Sequence, residues 1–235
     1  MKEYLKKDNG KNIFSINKST LENIGIFAIN KPLNWTSNDI VQYLKKYYKF
    51  KKVGHGGTLD PFATGVLVIA INENTKKLNE IINHDKKYYT KIKLGILTKS
   101  LDMESEIIKQ KPFNKSLTQN DVINAIEQFK KEYWQTPPIF SAKKINGIRS
   151  YKLARANSEI KLNPVKVEIK EYELVNLDSE NGIIELILNV SKGFYIRSFS
   201  NDLAMKLNTV GSVQELCRLK QSKWDLNSTF AYIKK

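Results

Sequence analysis

The sequence predicts an α+β protein, and three observations predict it. Short runs at 24–31, 65–71, 86–97, 164–176 and 183–190 are apolar, β-branched or alternating, and read as strands. Segments at 36–48, 72–84 and 118–133 instead repeat apolar residues at helical spacing. The length of 235 residues, with 41% hydrophobic and 27% charged residues, is enough for a full core and is globular in balance.

Residues 1–23 are polar, Lys/Asn-rich and weakly periodic, and predict a flexible N-terminal arm. From 24, IGIFAINK reads as a strand ending at Lys31-Pro32. Thr36 or Ser37 then caps a helix with Asp39 in its first turn and Ile40, Val41, Leu44, Tyr47 and Tyr48 at helical spacing. Next comes GHGGTLDPFATGVLVIAI, 54–71. Gly54, Gly56 and Gly57 allow close backbone approach, and Pro61 pushes Asp60 towards an extended conformation. The run 65–71 reads as a buried strand, so Asp60 is expected on a stiff loop at its mouth. No phosphate-loop pattern occurs there.

Residues 72–84 predict a short helix with Leu78, Ile81 and Ile82 on its apolar side. Residues 86–97 predict a strand carrying Tyr88. Residues 118–133 predict a helix capped by Thr118 or Asn120, with Val122, Ile123, Ile126 and Phe129 inward. Pro137-Pro138 suit a strand edge, and Ser150-Tyr151 opens a short helix ending near Arg155. The strands 164–176 and 183–190, joined by the turn 178–182, predict a hairpin.

The net charge of +15 points to a polyanion, nucleic acid first, although the lysine bias accompanies abundant Asn and Ile and is also what AT-rich coding would produce. Only four of the cations are arginine: Arg149, Arg155, Arg197 and Arg218. In a chain that otherwise uses lysine, these are expected where a planar fork is needed. Two histidines and one cysteine, Cys217, argue against a His/Cys metal site, exclude an internal disulfide and fit a reducing compartment. No signal peptide or membrane span is apparent, so the expected location is intracellular, the cytoplasm first.

The stretch GHGGTLDP…ATGVL resembles the signature of the TruB-type tRNA pseudouridine synthases, usually GHTGTLDP. Four further segments agree in order: KPLNWTSNDIV near the start, KKYYTKIKLGILTKSLD, QTPPIFSAKKINGIRSYKLAR, and SKGFYIRSFSNDL followed by ELCRL. The resemblance covers 24–226 and implies the pseudouridine-synthase fold, a central mixed, mostly antiparallel β-sheet flanked by helices. It implies one catalytic domain over 24–235, without the C-terminal PUA domain usual in bacterial members and closer in this to the eukaryotic type. Departures are Asn34 and Gly56 for a usual Gly and Thr, Lys99 for an Asp, and Phe194 for a Thr. The second acidic position of that TKSLD segment, Asp102, is given no catalytic role.

The resemblance makes Asp60 the catalytic carboxylate, Arg197 its ion-pair partner, and Tyr88 the ring that packs on the uracil. His55 is expected to help flip the base, with Gly57, Lys31, Pro32, Tyr195 and Leu216 shaping the substrate site. Lys143 and Arg149 are candidate phosphate contacts. The implied reaction isomerises uridine 55 in the T-loop of tRNA, by a monomer, with no cofactor and no metal. Two other readings stay open: a non-catalytic tRNA folding chaperone on the same scaffold, and a guide-RNA-dependent synthase.

Overall fold

The computed structural model describes residues 10–141, 144–145, 148–149 and 162–232; at 131, 144–145 and 148–149 only the backbone is described. The elements are α1 (Lys18–Ile24), β1 (Ile26–Lys31), α2 (Ser37–Tyr48), β2 (Val53–His55), β3 (Thr64–Ile71), α3 (Leu78–Ile82) and β4 (Lys86–Leu94). There follow β5 (Ile96–Thr98), β6 (Ile107–Gln110), α4 (Gln119–Lys131), β7 (Tyr133–Gln135), β8 (Lys144–Ile145) and β9 (Ile148–Arg149). The chain continues with β10 (Val165–Val167), β11 (Ile169–Asp178), β12 (Ile183–Val190), α5 (Ile196–Lys206), β13 (Gly211–Gln221), β14 (Trp224–Asp225) and β15 (Thr229–Ala231). The α+β class is as expected. The described residues fall into two compact units. One holds the described residues up to Tyr89 and from Leu216 onward; the other is Thr90–Glu215.

In the first unit β3 is the central strand. Seven of its eight residues are buried, which is why GVLVIAI reads as an unbroken apolar run rather than an alternating one. On one edge it pairs antiparallel with β1, in register Phe27↔Ile69, and β15 pairs parallel with β1 beyond that. The other edge is shared. β2 pairs antiparallel with its last residues, His55↔Ile69, and β13 pairs parallel with its first, Arg218↔Gly65. The β2–β3 hairpin therefore cannot zip to its end. β13 takes the edge that residues 57–63 would have used, and those residues leave the sheet as a loop. Gly65 stands where the strands meet: its φ is +101°, and a Cβ there would lie 2.3 Å from the Arg218 carbonyl oxygen.

Residues 13–24, expected within a flexible arm, are packed. Ile13–Ser15 form a turn of 3-10 helix and α1 follows. Ile13 and Leu21 are fully buried, and the Phe14 ring meets Tyr43, Tyr47 and Tyr232 edge-on. The Tyr48 hydroxyl donates to the carbonyls of Ile13 and Ile16. The polar composition hid one apolar turn, which docks on the tyrosines of α2 and on Tyr232 near the other end of the chain. Residues 1–9 lie outside the described residues.

α2 starts as expected, with a reciprocal Thr36–Asp39 capping box. Its Tyr47, expected inward, is 49% exposed. The 72–84 segment is not one helix: 72–77 is 3-10 and only Leu78–Ile82 is α-helical. Ile81 is buried there, but Ile82 is exposed, since a five-residue helix buries too narrow a face to hold both.

In the second unit β11 and β12 form the expected antiparallel hairpin, and the predicted strand 86–97 breaks at Gly95, φ +87°. α4 is capped by Thr118, not Asn120, in a second capping box. Its Phe129 meets Phe199 of α5 at 5.5 Å and Tyr133 at 4.7 Å, making an aromatic core with Phe194. Phe194, which stands where the resemblance led us to expect Thr, is thus part of this core. Burial pushes the Tyr133 phenol and the Asp202 carboxyl upward, and the phenol donates to that carboxylate. The helix expected at 150–155 lies outside the described residues. Among the described residues no helix is long and apolar enough to cross a membrane.

Gly65→Ala should cost at least about 2 kcal/mol, because the added methyl meets backbone on a paired strand in a left-handed conformation. Urea unfolding of the variant checks this.

Candidate active site

The loop carrying Asp60 is short, and buried polar side chains hold it from both flanks. Lys31 ends β1 and is fully buried, and its Nζ donates to the carbonyls of Pro32 (2.8 Å), Trp35 (2.6 Å) and Pro61 (3.2 Å). Burying an ammonium is costly without compensation, and here carbonyl dipoles supply it. The Pro61 oxygen also accepts from the Asn34 amide. Asn34 has φ +64°, so Asn is tolerated where the resemblance leads one to expect Gly. Ser37, at the start of α2, exchanges hydrogen bonds with Leu59: its Oγ donates to the carbonyl at 3.0 Å and accepts from the amide at 2.8 Å. Lys31 and Ser37 thus grip the residues on either side of Asp60.

The opposite flank is held from β13. Arg218 is 1% exposed; its Nε donates to the Val66 carbonyl at 2.6 Å and its Nη2 to the Gly57 carbonyl at 3.1 Å. One guanidinium thereby ties the loop to the strand it departed from. Gln221, fully buried, donates through Nε2 to the carbonyls of Gly56 and Ile81. Gly57 itself has φ +122°. Gly56, where Thr is usual, lies against Ile81: a Cβ there would be 2.8 Å from that side chain. Beside Arg218, burial pushes the Cys217 thiol up to about 11. Asp60 is half-buried, and its carbonyl accepts from the Ala63 amide to close the turn.

The other expected residues of this unit fall as follows. His55 ends β2, half-buried; Pro32 is half-buried; Tyr88 on β4 and Leu216 on β13 are buried. Lys31 was expected among the substrate-shaping residues, and its Nζ donates to three of the chain's own carbonyls. Arg218 and Gln221 were not singled out as site residues. The signal for Arg218 was its scarcity value as one of four arginines; nothing in the sequence marked Gln221.

The second unit positions Arg197 in the first turn of α5. It is 4% exposed, and its two terminal nitrogens donate to the carbonyls of Ser100 and Phe140, each at 2.7 Å. Nη1 also lies 3.5 Å from Asp102 Oδ2. Asp102 is 4% exposed and accepts at Oδ1 from Ser100 Oγ and the Glu104 amide. We gave Asp102 no role from sequence; the structure makes it the carboxylate that holds Arg197. Lys99 stands apart, paired with Glu106 at 3.2 Å on the surface. Tyr195 caps the same helix: its amide donates to Gln135 Oε1 at 2.7 Å, and Gln135 Nε2 returns a bond to its carbonyl at 3.0 Å. Lys143 lies outside the described residues. Arg149 ends the β8–β9 pair, and its side chain lies outside them too.

Arg218→Lys should cost about 2–3 kcal/mol, because the two bonds leave Arg218 from separate nitrogens, Nε to Val66 and Nη2 to Gly57, and a shorter side chain with one nitrogen leaves a buried acceptor bare. It should also speed amide hydrogen exchange in 57–60. Thermal unfolding and exchange mass spectrometry check both.

These motifs have counterparts in known proteins. Residues 45–196 match the family model described as TruB family pseudouridylate synthase, N-terminal domain. The chain is 45% identical to a tRNA pseudouridine synthase B of Ureaplasma urealyticum, over 92% of this chain and 91% of that protein. It is 41% identical to the protein of the same name from Malacoplasma penetrans, over 88% and 89% of the two chains. These relatives of nearly equal length are bacterial, where the sequence suggested a eukaryotic-type form. By fold, the chain matches a protein from an H/ACA ribonucleoprotein bound to a substrate RNA, with a TM-score of 0.66 at 19% identity. That match spans 94% of this chain and 55% of the other. The chain belongs to the TruB family of pseudouridylate synthases.

Proposed function

We propose that the protein isomerises uridine 55 in the T-loop of tRNA to pseudouridine, with Asp60 as the catalytic carboxylate. Membership of the family and relatives named for tRNA pseudouridine synthesis support the reaction class. The observation that carries the residue assignment is the clamped loop. Lys31, Ser37, Arg218 and Gln221 direct their hydrogen bonds to the carbonyls and amide around Asp60, which is the support a preorganised catalytic side chain needs.

The reaction breaks the bond between N1 of uracil and C1′ of ribose and forms one from C5 to C1′. The C5 proton is lost and N1 gains one, so the sum is an isomerisation. The base must first leave its stack, which in a folded loop costs a few kcal/mol. His55, at the end of β2 and the start of the loop, is assigned to brace the vacated position. Tyr88 is assigned to hold the uracil against rotation in the wrong plane. Asp60 provides the carboxylate at the anomeric carbon or the base. Arg197 is assigned as its partner, keeping it ionised, since a neighbouring cation favours the charged form. The bonds from Arg197 to the Ser100 and Phe140 carbonyls and to Asp102 support this, because they hold the guanidinium in one orientation before substrate arrives. The T-arm as the recognised part and a monomeric enzyme follow the same family reading.

Asp60→Asn should bind unmodified tRNA with near-normal affinity and form no pseudouridine; measurable turnover would refute the carboxylate's role. Arg197→Lys should lower single-turnover rates by about 100-fold, because Lys cannot hold the two carbonyls and the Asp102 carboxylate together. A tRNA transcript mapped for pseudouridine by position reads out both.

A further inference from the structure

The outer face of α2 carries a feature the reaction does not use. Gln42, Lys45, Lys46 and Lys49 follow the i, i+3, i+4, i+7 spacing of one helical face, and with Phe50 they line an open groove of about 470 Å³. None of the three lysines forms an ion pair or hydrogen bond with another described residue. Three exposed helical lysines elsewhere among the described residues are paired instead. Lys18 pairs with Glu22, Lys76 with Glu73 and Lys130 with Glu127, each three or four residues away. In α2 that device is missing. Residues 40–59 contain five lysines and no Asp or Glu.

The helix dipole accounts for part of this, since cations near a helix C-terminus are favoured by about 0.3–1 kcal/mol. It does not account for Lys51 and Lys52 beyond the helix end. Lys49 moreover adopts the left-handed conformation at the helix end, φ +54°, where glycine is the usual residue. A lysine is kept there at some conformational cost. Glu22 of α1 is engaged by Lys18, whose Nζ also sits 6.0 Å from the Phe50 ring centroid.

The groove is also remote from the reacting base. α2 is anchored to the catalytic loop at its first residue, by the Ser37–Leu59 pair, and to the carbonyls of Ile13 and Ile16 at its last, by Tyr48. Its 12 residues span about 18 Å. A nucleotide held at Asp60 therefore leaves the groove to phosphates further along the same RNA.

We propose that the Lys45–Lys46–Lys49 groove binds the phosphate backbone of tRNA outside the modified loop, lengthening the footprint beyond the T-arm. The inference rests on the tRNA reading above. It is tested by the triple variant Lys45→Gln, Lys46→Gln, Lys49→Gln in the full chain, with unchanged thermal unfolding as the folding control. Binding is measured against salt for a whole tRNA transcript and for an isolated T-arm hairpin, with hairpin turnover alongside. The expected result is that whole-tRNA affinity at low salt falls about tenfold. The slope of log affinity against log salt should shrink by about 2–3, each of three lost phosphate contacts costing roughly 0.7–0.9. Hairpin affinity and turnover should stay at the wild-type level. An unchanged whole-tRNA slope overturns the proposal. So does an equal loss with the hairpin, which would place the groove on the T-arm path. Failure of the wild type to modify either RNA would instead sink the tRNA reading, and the two failures are thereby told apart.

Discussion

Buried cations satisfied by main-chain carbonyls are what the Asp60 loop depends on. Lys31 and Arg218 are both essentially inaccessible, and between them they donate to five backbone oxygens. Hydrogen bonds to charged groups contribute about 1.5–3 kcal/mol each, and leaving one end unmade costs more than the bond is worth. The arrangement is therefore close to all-or-none. It works only when β1, α2 and β13 are in place together, and it makes the shape of 56–61 a consequence of the sheet rather than of the loop's own residues.

The sheet supplies the loop for a topological reason. β3 has two edges, and three strands besides β1's partner compete for the neighbourhood: β1 fills one edge, while β2 and β13 divide the other. Where β13 takes over, the hairpin opens and the chain must leave the plane. The close approach at Gly65 and the Arg218 fork sit at that point, so the same crossing that expels the loop also fastens it.

The second unit treats Arg197 by similar logic with a different partner set. Two carbonyls and one buried carboxylate share its donors, and Asp102 is itself held by Ser100 and the Glu104 amide. The scarcity of arginine anticipated this. In both cases where the side chain is described, the planar fork donates to two carbonyls from two separate nitrogens. Among the described side chains, both arginines sit at buried junctions.

Sequence by itself determined the local elements and the chemistry-bearing residues. The buried strand after the glycines, the α2 and α4 caps, the 164–190 hairpin and the Asp60 turn follow from periodicity, capping and turn chemistry, which act over a few residues. The family was legible in ordered motifs spread over most of the chain. What only the tertiary structure decided were pairings across long separations. Arg218 reaches Val66, Gln221 reaches Gly56, and Asp102 reaches Arg197, and no local pattern encodes which distant carbonyl a side chain will find. The packed turn at Ile13 and Phe14 was hidden for the same reason. Its polar neighbours set the local composition, while its burial depends on Tyr43, Tyr48 and Tyr232, which approach only once the sheet has formed.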